Sequence, residues 1–326
     1  MSSVVEIENV VIQAGDCFLT LLPSLGGKFA SLRIGSAELL QAPLNPYAPR
    51  TQTMGFADGD ASGWDECLPS VAPCTLDTQD GIANIPDHGD LWRVPWRVVE
   101  KSSDHATLTA NCFSLPLELT RSVLLRETPT GWRLSLFYTL ANRGTVAVPW
   151  SWAAHPLFVA QTGDRIHLPP SIRSLRLEGS GDNVLGVNGD SVAWPIATLA
   201  DGSSDDLSIA KAPSSGRGDK LFTGMLNTEA GENWCALERP SIGLKLTFRF
   251  DPAATPYLGL WLCYGGWPEG NGLHQQCVAL EPATAPVDSI AIVGPWSRTL
   301  APGATFSWPF EVDLERIHQK DEEYLA

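Results

Sequence analysis

A chain of 326 residues with 44% hydrophobic and 18% charged side chains has an ordinary globular balance and ample length for a large core, which excludes disorder. Its 22 basic and 37 acidic residues leave a formal charge of −15, a field that repels phosphate backbones and anionic membranes and removes nucleic acid as a partner. The N-terminal MSSVVEIENVVIQAG has no basic segment leading into an apolar one, and no run of about 18 apolar residues is present, so an untargeted protein without a membrane partner is expected. Seven scattered cysteines without a C-x-x-C pair argue against a disulfide framework and against structural zinc, and point to a reducing, cytoplasmic setting.

In chain order, the elements read as strands. LTLLPSLGGKFASLRIGSAELL, residues 19–40, is a hairpin with a Gly-Gly bend. LELTRSVLLRETPTGWRLSLFYTLANRG, 117–144, is strand, Pro-Thr-Gly turn, strand and Asn-Arg-Gly stop, with Trp132, Leu134, Leu136, Tyr138 and Leu140 on one face. The stretch from about 170 to 220, rich in Gly, Ser and Asp, reads as long connections. GENWCALERP then pairs with SIGLKLTFRF, whose Ile242, Leu244, Leu246, Phe248 and Phe250 alternate with wetter residues. With 25 prolines and 29 glycines supplying turns and no long amphipathic helix, the pattern predicts an antiparallel all-β protein, a large sandwich or barrel. All-β domains often exceed the usual size, so one domain over 1–326 is expected.

Three residues stand out chemically. His88 lies in NIPDHGDLWRVPW, a tight loop between acids and tryptophans; it reads either as an active-site group or as a hydrogen-bonded histidine packed under Trp92. His155 closes the apolar, Trp-rich VPWSWAAHPLF and is followed by Pro156, so it reads as a strand-end residue, catalytic or merely satisfied in the core. Glu281 ends the apolar run of QQCVALEPATAPVDS before Pro282; it is either a solvent-turned strand end or a desolvated carboxylate with raised basicity.

The motifs DHGDLW, WAAHPLF, GDKLFTG, LGLWLCYGGWP and ALEPATAPVDS, in that order, resemble those of the aldose 1-epimerases, the galactose mutarotase-like proteins, over nearly the whole chain. GWDECLPSVAPC resembles the Gly-Trp-acid-acid stretch of a divergent branch. The resemblance implies a β-supersandwich with few short helices and an isomerase that interconverts the α and β anomers of a free aldose. In that family the histidine of the His-Pro motif is the general acid and the glutamate of the Glu-Pro motif the general base, while the histidine of the His-Gly motif binds the ring side of the sugar. Those roles fall on His155, Glu281 and His88. Asp219 resembles the substrate-holding aspartate, while its neighbour Lys220 is the better match to divergent members, and Trp64, Glu66 and Trp261 lie in matched motifs as expected sugar contacts. Trp92 and Trp267 fall in or beside them as well.

Opening a hemiacetal removes a proton from the C1 hydroxyl and delivers one to the ring oxygen, so one base and one acid suffice, with no metal and no redox cofactor. The family's sugar-gripping arginine has no counterpart between residues 51 and 87, where Asp65 and Glu66 stand instead. That leaves the sugar open and disfavours a phosphorylated hexose. Two other classes stay in view. A non-catalytic carbohydrate-binding protein would need the aromatics but not the acid and base. A glycoside hydrolase would need paired carboxylates, which only Asp65, Glu66 and Glu281 could supply.

Overall fold

A computed structural model describes residues 7–78, 81–270 and 272–317. Its strands form two large antiparallel sheets, one of eleven strands and one of eight, with three two-stranded ribbons at their margins. The helical content of the described residues is five three-residue 3-10 turns. The Leu117–Thr128 and Gly131–Asn142 strands pair along their full length at the centre of the smaller sheet, as their alternation predicts. Trp132, Leu134, Leu136, Tyr138 and Leu140 all face one continuous core between the sheets. Trp234–Arg239 pairs with Leu244–Phe250, but Ile242 belongs to the 3-10 turn before that strand rather than to the strand itself.

Two expectations need correction. The 170–220 stretch is not loop throughout: Ser174–Ser180 and Arg217–Phe222 are strands of the eleven-stranded sheet, and their Gly and Ser content is accommodated by an irregular pairing between Leu177 and Gly179. Nor do Pro156 and Pro282 end their strands, which run Ala153–Val159 and Gln276–Ala283. These neighbours pair at Ala153↔Ala283 and Leu157↔Ala279 and make no pair between. Proline lacks an N–H, so a ladder can accommodate it only where no bond is required of that group. The gap is confined to this boundary, because Pro156 still pairs with Trp64 and Pro282 with Leu258 on their other sides.

Candidate active site

The site lies on the face of the larger sheet turned away from the smaller one. Side chains alternate along each strand, so every residue beside a core residue points to this outer face. In Gln276–Ala283, Val278 and Leu280 enter the core, and Glu281 takes the other side with Ala279 and Ala283. In Ala153–Val159, Ala154 and Phe158 enter the core while His155 and Leu157 do not. The register, carried across the unpaired gap between Ala153↔Ala283 and Leu157↔Ala279, then aligns Asp65, His155, Glu281, Gly259 and Phe222 in one row across five strands. A parallel row carries Leu157, Ala279, Trp261 and Lys220.

Lys220 reaches from its row to Glu281, to which its ammonium donates a hydrogen bond. It can do so because Gly259 leaves the intervening position without a side chain; a Cβ there would sit 3.2 Å from Glu281 Oε2. The ammonium also stands 5.2 Å from the centre of the Phe222 ring and 3.7 Å from Asp288 Oδ1. Glu281 is fully buried and its Oε1 has no hydrogen-bond partner. Burial pushes its carboxyl above the ordinary value of 4.5, against the opposing pull of Lys220.

Loops supply the walls. His88 has a left-handed φ of 58°, its N–H donates to Val71 O at 2.6 Å, and Gly89 continues with φ 66°. A Cβ on Gly89 would lie 2.2 Å from the carbonyl oxygen of Leu68, so the glycine of the His-Gly pair is required by a close backbone approach. The following Asp90 pins this loop by accepting hydrogen bonds from the backbone N–H groups of Phe113 and Ser114 and from the Ser114 hydroxyl. The His88 ring stacks on Phe56 with centroids 3.9 Å apart and meets His155 edge-on at 5.0 Å, while Asp87 lies 3.0 Å from its Nδ1.

Between these walls is a cavity of about 260 Å³ bordered by Phe56, His88, His155, Lys220, Trp261, Trp267, Gln275, Asp87 and Asp288, with Val71 and Ala72 at its edge. Trp261 is anchored by its indole N–H, which donates to Gln275 Oε1 at 2.8 Å. His155 is buried, its Nδ1 has no hydrogen-bond partner, and its proton affinity is well below the ordinary value of 6.5; burial is the main cause, helped by His88, Lys220 and Lys28. At neutral pH the resting imidazole is therefore uncharged. Lys28 belongs to a buried ionic cluster with Asp60, Asp65 and Arg50.

The structure thus brings together His88, His155 and Trp261 around one cavity, with Glu281 directly behind Lys220. It separates three other expected sugar contacts from that cavity. Trp64 and Glu66 share a strand with Asp65 and point the opposite way, into the sandwich. Trp64 packs there against Phe29, Phe158, Phe248 and Phe310. Glu66 accepts hydrogen bonds from Arg121, Tyr138 and Trp152 at 2.8 to 2.9 Å. Asp219 shares the core side of its strand with Leu221 and is held by Arg217 and Ser180, each at 2.6 Å. Trp92 supports the cavity from behind, with the guanidinium groups of Arg93 and Arg50 4.2 and 5.0 Å from its ring. Neither arginine borders the cavity, and among the described residues Lys220 is the one Lys or Arg side chain that does.

Phe56, Asp288 and Gln275 line the cavity without having stood out in the sequence, and of the neighbours Asp219 and Lys220 it is Lys220, the better match in divergent members, that reaches it. Alternation along this strand puts Lys220 and Phe222 on the outer face and Asp219 and Leu221 on the inner one, but the adjacent apolar Leu221 and Phe222 leave no polar side legible in the sequence, and packing against the smaller sheet makes the choice.

No protein-family model and no curated protein matches the chain. Solved structures do, and they define the fold as galactose mutarotase-like. A galactose mutarotase-like protein from Lactobacillus casei ATCC 334 is similar over 94% of this chain and all of its own, with a TM-score of 0.62 and 18% identity. A candidate aldose 1-epimerase from Escherichia coli K12 is similar over 95% of this chain and all of its own, with a TM-score of 0.69 and 16% identity. The Slr1438 protein from Synechocystis sp. PCC 6803 has the same TM-score and identity over 97% of this chain and the whole of its own.

Proposed function

We propose that the protein is an aldose 1-epimerase, opening and reclosing the ring of a free aldose at the cavity between His88, His155 and Trp261. The observation that carries this reading is the opposition of His155 and Glu281 in one cross-strand position beside that cavity, with Trp261 and Phe56 as apolar walls. An aromatic wall suits the C–H face of a pyranose, and the imidazoles and carboxylates suit its hydroxyls.

Glu281 takes the proton of the C1 hydroxyl as the C1–ring oxygen bond breaks, and His155, once protonated in the complex, delivers one to the ring oxygen. Rotation about C1–C2 presents the other carbonyl face, and reclosure reverses both transfers, so protons balance over the cycle. His88, fixed by Phe56 and Asp87, orients the ring-oxygen side. The substrate class is a sugar without phosphate or carboxylate, because Asp87 and Asp288 border the cavity and its ammonium already faces two carboxylates.

One observation favours a binding protein without catalysis: Glu281 is fully buried and screened from the cavity by Lys220. Magnetisation-exchange NMR between the α and β anomers of an aldose panel, with wild type and Glu281→Gln, separates the two. Exchange accelerated by wild type alone supports the epimerase. Sugar line broadening without acceleration by either protein rejects it in favour of binding.

A further inference from the structure

The screening of Glu281 points to a device within this same site, and the inference rests on the epimerase reading. We propose that Lys220 is a movable cover for the catalytic carboxylate, passing from Glu281 to Asp288 when a sugar enters and so exposing Glu281 to the C1 hydroxyl. Four observations converge on it. The ammonium of Lys220 is bonded to Glu281 and is already 3.7 Å from Asp288 Oδ1, so the transfer is a short displacement rather than a new rotamer across open space. Asp288 Oδ1 is buried and has no hydrogen-bond partner, which makes it a vacant acceptor facing that ammonium. Lys220 borders the cavity whereas Glu281, beneath it, does not. The Phe222 ring lies 5.2 Å from the ammonium, offering a cation a favourable surface to slide over.

The backbone of Asp288 is in turn fixed in place. Its carbonyl oxygen accepts hydrogen bonds from the N–H groups of Val71 and Ala72 at 2.9 and 2.8 Å, and from the Ser70 hydroxyl at 3.0 Å. The backbone that carries the acceptor is therefore held while the lysine moves. With Lys220 on Asp288, the charge of Glu281 is left opposite His155 without its counter-ion, which favours protonation of that imidazole. One displacement thereby exposes the base and prepares the acid. Asp288 acts as a positioning residue through Lys220.

The test has a structural and a kinetic arm. Crystal structures of the full chain, alone and soaked with D-glucose or D-galactose, should show Lys220 Nζ closer to Glu281 without sugar and closer to Asp288 with it. A sugar-bound structure with Lys220 still on Glu281 overturns the proposal. Asp288→Asn keeps the shape but weakens the second acceptor, so kcat should fall on the order of tenfold or more with KM little changed, and Asp288→Glu should recover much of the loss. A rise in KM alone, or full activity in Asp288→Asn while Glu281→Gln is inactive, overturns the cover and leaves the base assignment standing. Full activity in Glu281→Gln, or no sugar bound or anomerised at all, removes both.

Discussion

His155 and Glu281 face each other across the antiparallel ladder where Pro156 and Pro282 leave it without pairs. The geometry ties the two candidate proton-transfer groups to a pair of strands whose other contacts continue regularly on both sides. A rigid scaffold of this kind holds reacting groups better than loops can.

Removing either group should abolish anomerisation without unfolding the protein. For His155→Asn and Glu281→Gln the exchange rate measured by NMR should fall by roughly 10²–10⁴, the usual share of an acid or base. Circular dichroism should confirm the native sheet content. Wild-type rates in both variants would refute the site.

His155 also predicts how stability responds to pH. Its folded-state proton affinity is below the ordinary value of 6.5 because burial disfavours the cation. The unfolded chain therefore binds the proton more readily, so this contribution is fully present above about pH 6.5 and is lost as pH falls from there toward the depressed value. Urea denaturation of wild type at pH 5.5 and 7.5 should show the lower stability at pH 5.5, and His155→Gln should show a smaller difference. An equal difference in the variant would assign the effect to other groups.

Gly259 is predicted to be required for the Lys220–Glu281 contact and not for backbone freedom. A Cβ there would lie 3.0 Å from the Phe222 ring and 3.2 Å from Glu281 Oε2, in a strand of ordinary conformation. Gly259→Val should cost about 1–3 kcal/mol by overpacking and lower kcat more than Gly259→Ala does. Thermal denaturation and NMR exchange on the same samples check both parts.

Trp64 and Glu66 should govern stability rather than sugar binding. Trp64→Ala removes a fully buried indole from the inter-sheet core, at a cost of about 3–5 kcal/mol. Glu66→Gln leaves the buried Arg121 without its charged partner, with a destabilisation of about 3–5 kcal/mol. Folded protein recovered at low temperature should keep the wild-type KM, whereas Trp261→Ala should raise it. A raised KM in Trp64→Ala with unchanged stability would reverse the assignment.

Architecture and the chemical residue types were legible in the local sequence. Period-two alternation is a local property, so Trp132 to Leu140 and Leu244 to Phe250 declared their buried face without any partner strand, and the His-Pro, His-Gly and Glu-Pro motifs marked His155, His88 and Glu281. Which face of a strand meets the cavity follows from the packing of one sheet on the other. Trp64-Asp65-Glu66-Cys67 is buried on both sides, so its alternation carries no polar side to read, and the partner sheet alone sends Trp64 and Glu66 inward. The opposition of His155 and Glu281, and the placing of Lys220 between Glu281 and Asp288, likewise depend on strands distant in the chain coming into register, and register is set by pairing and packing across the whole sheet.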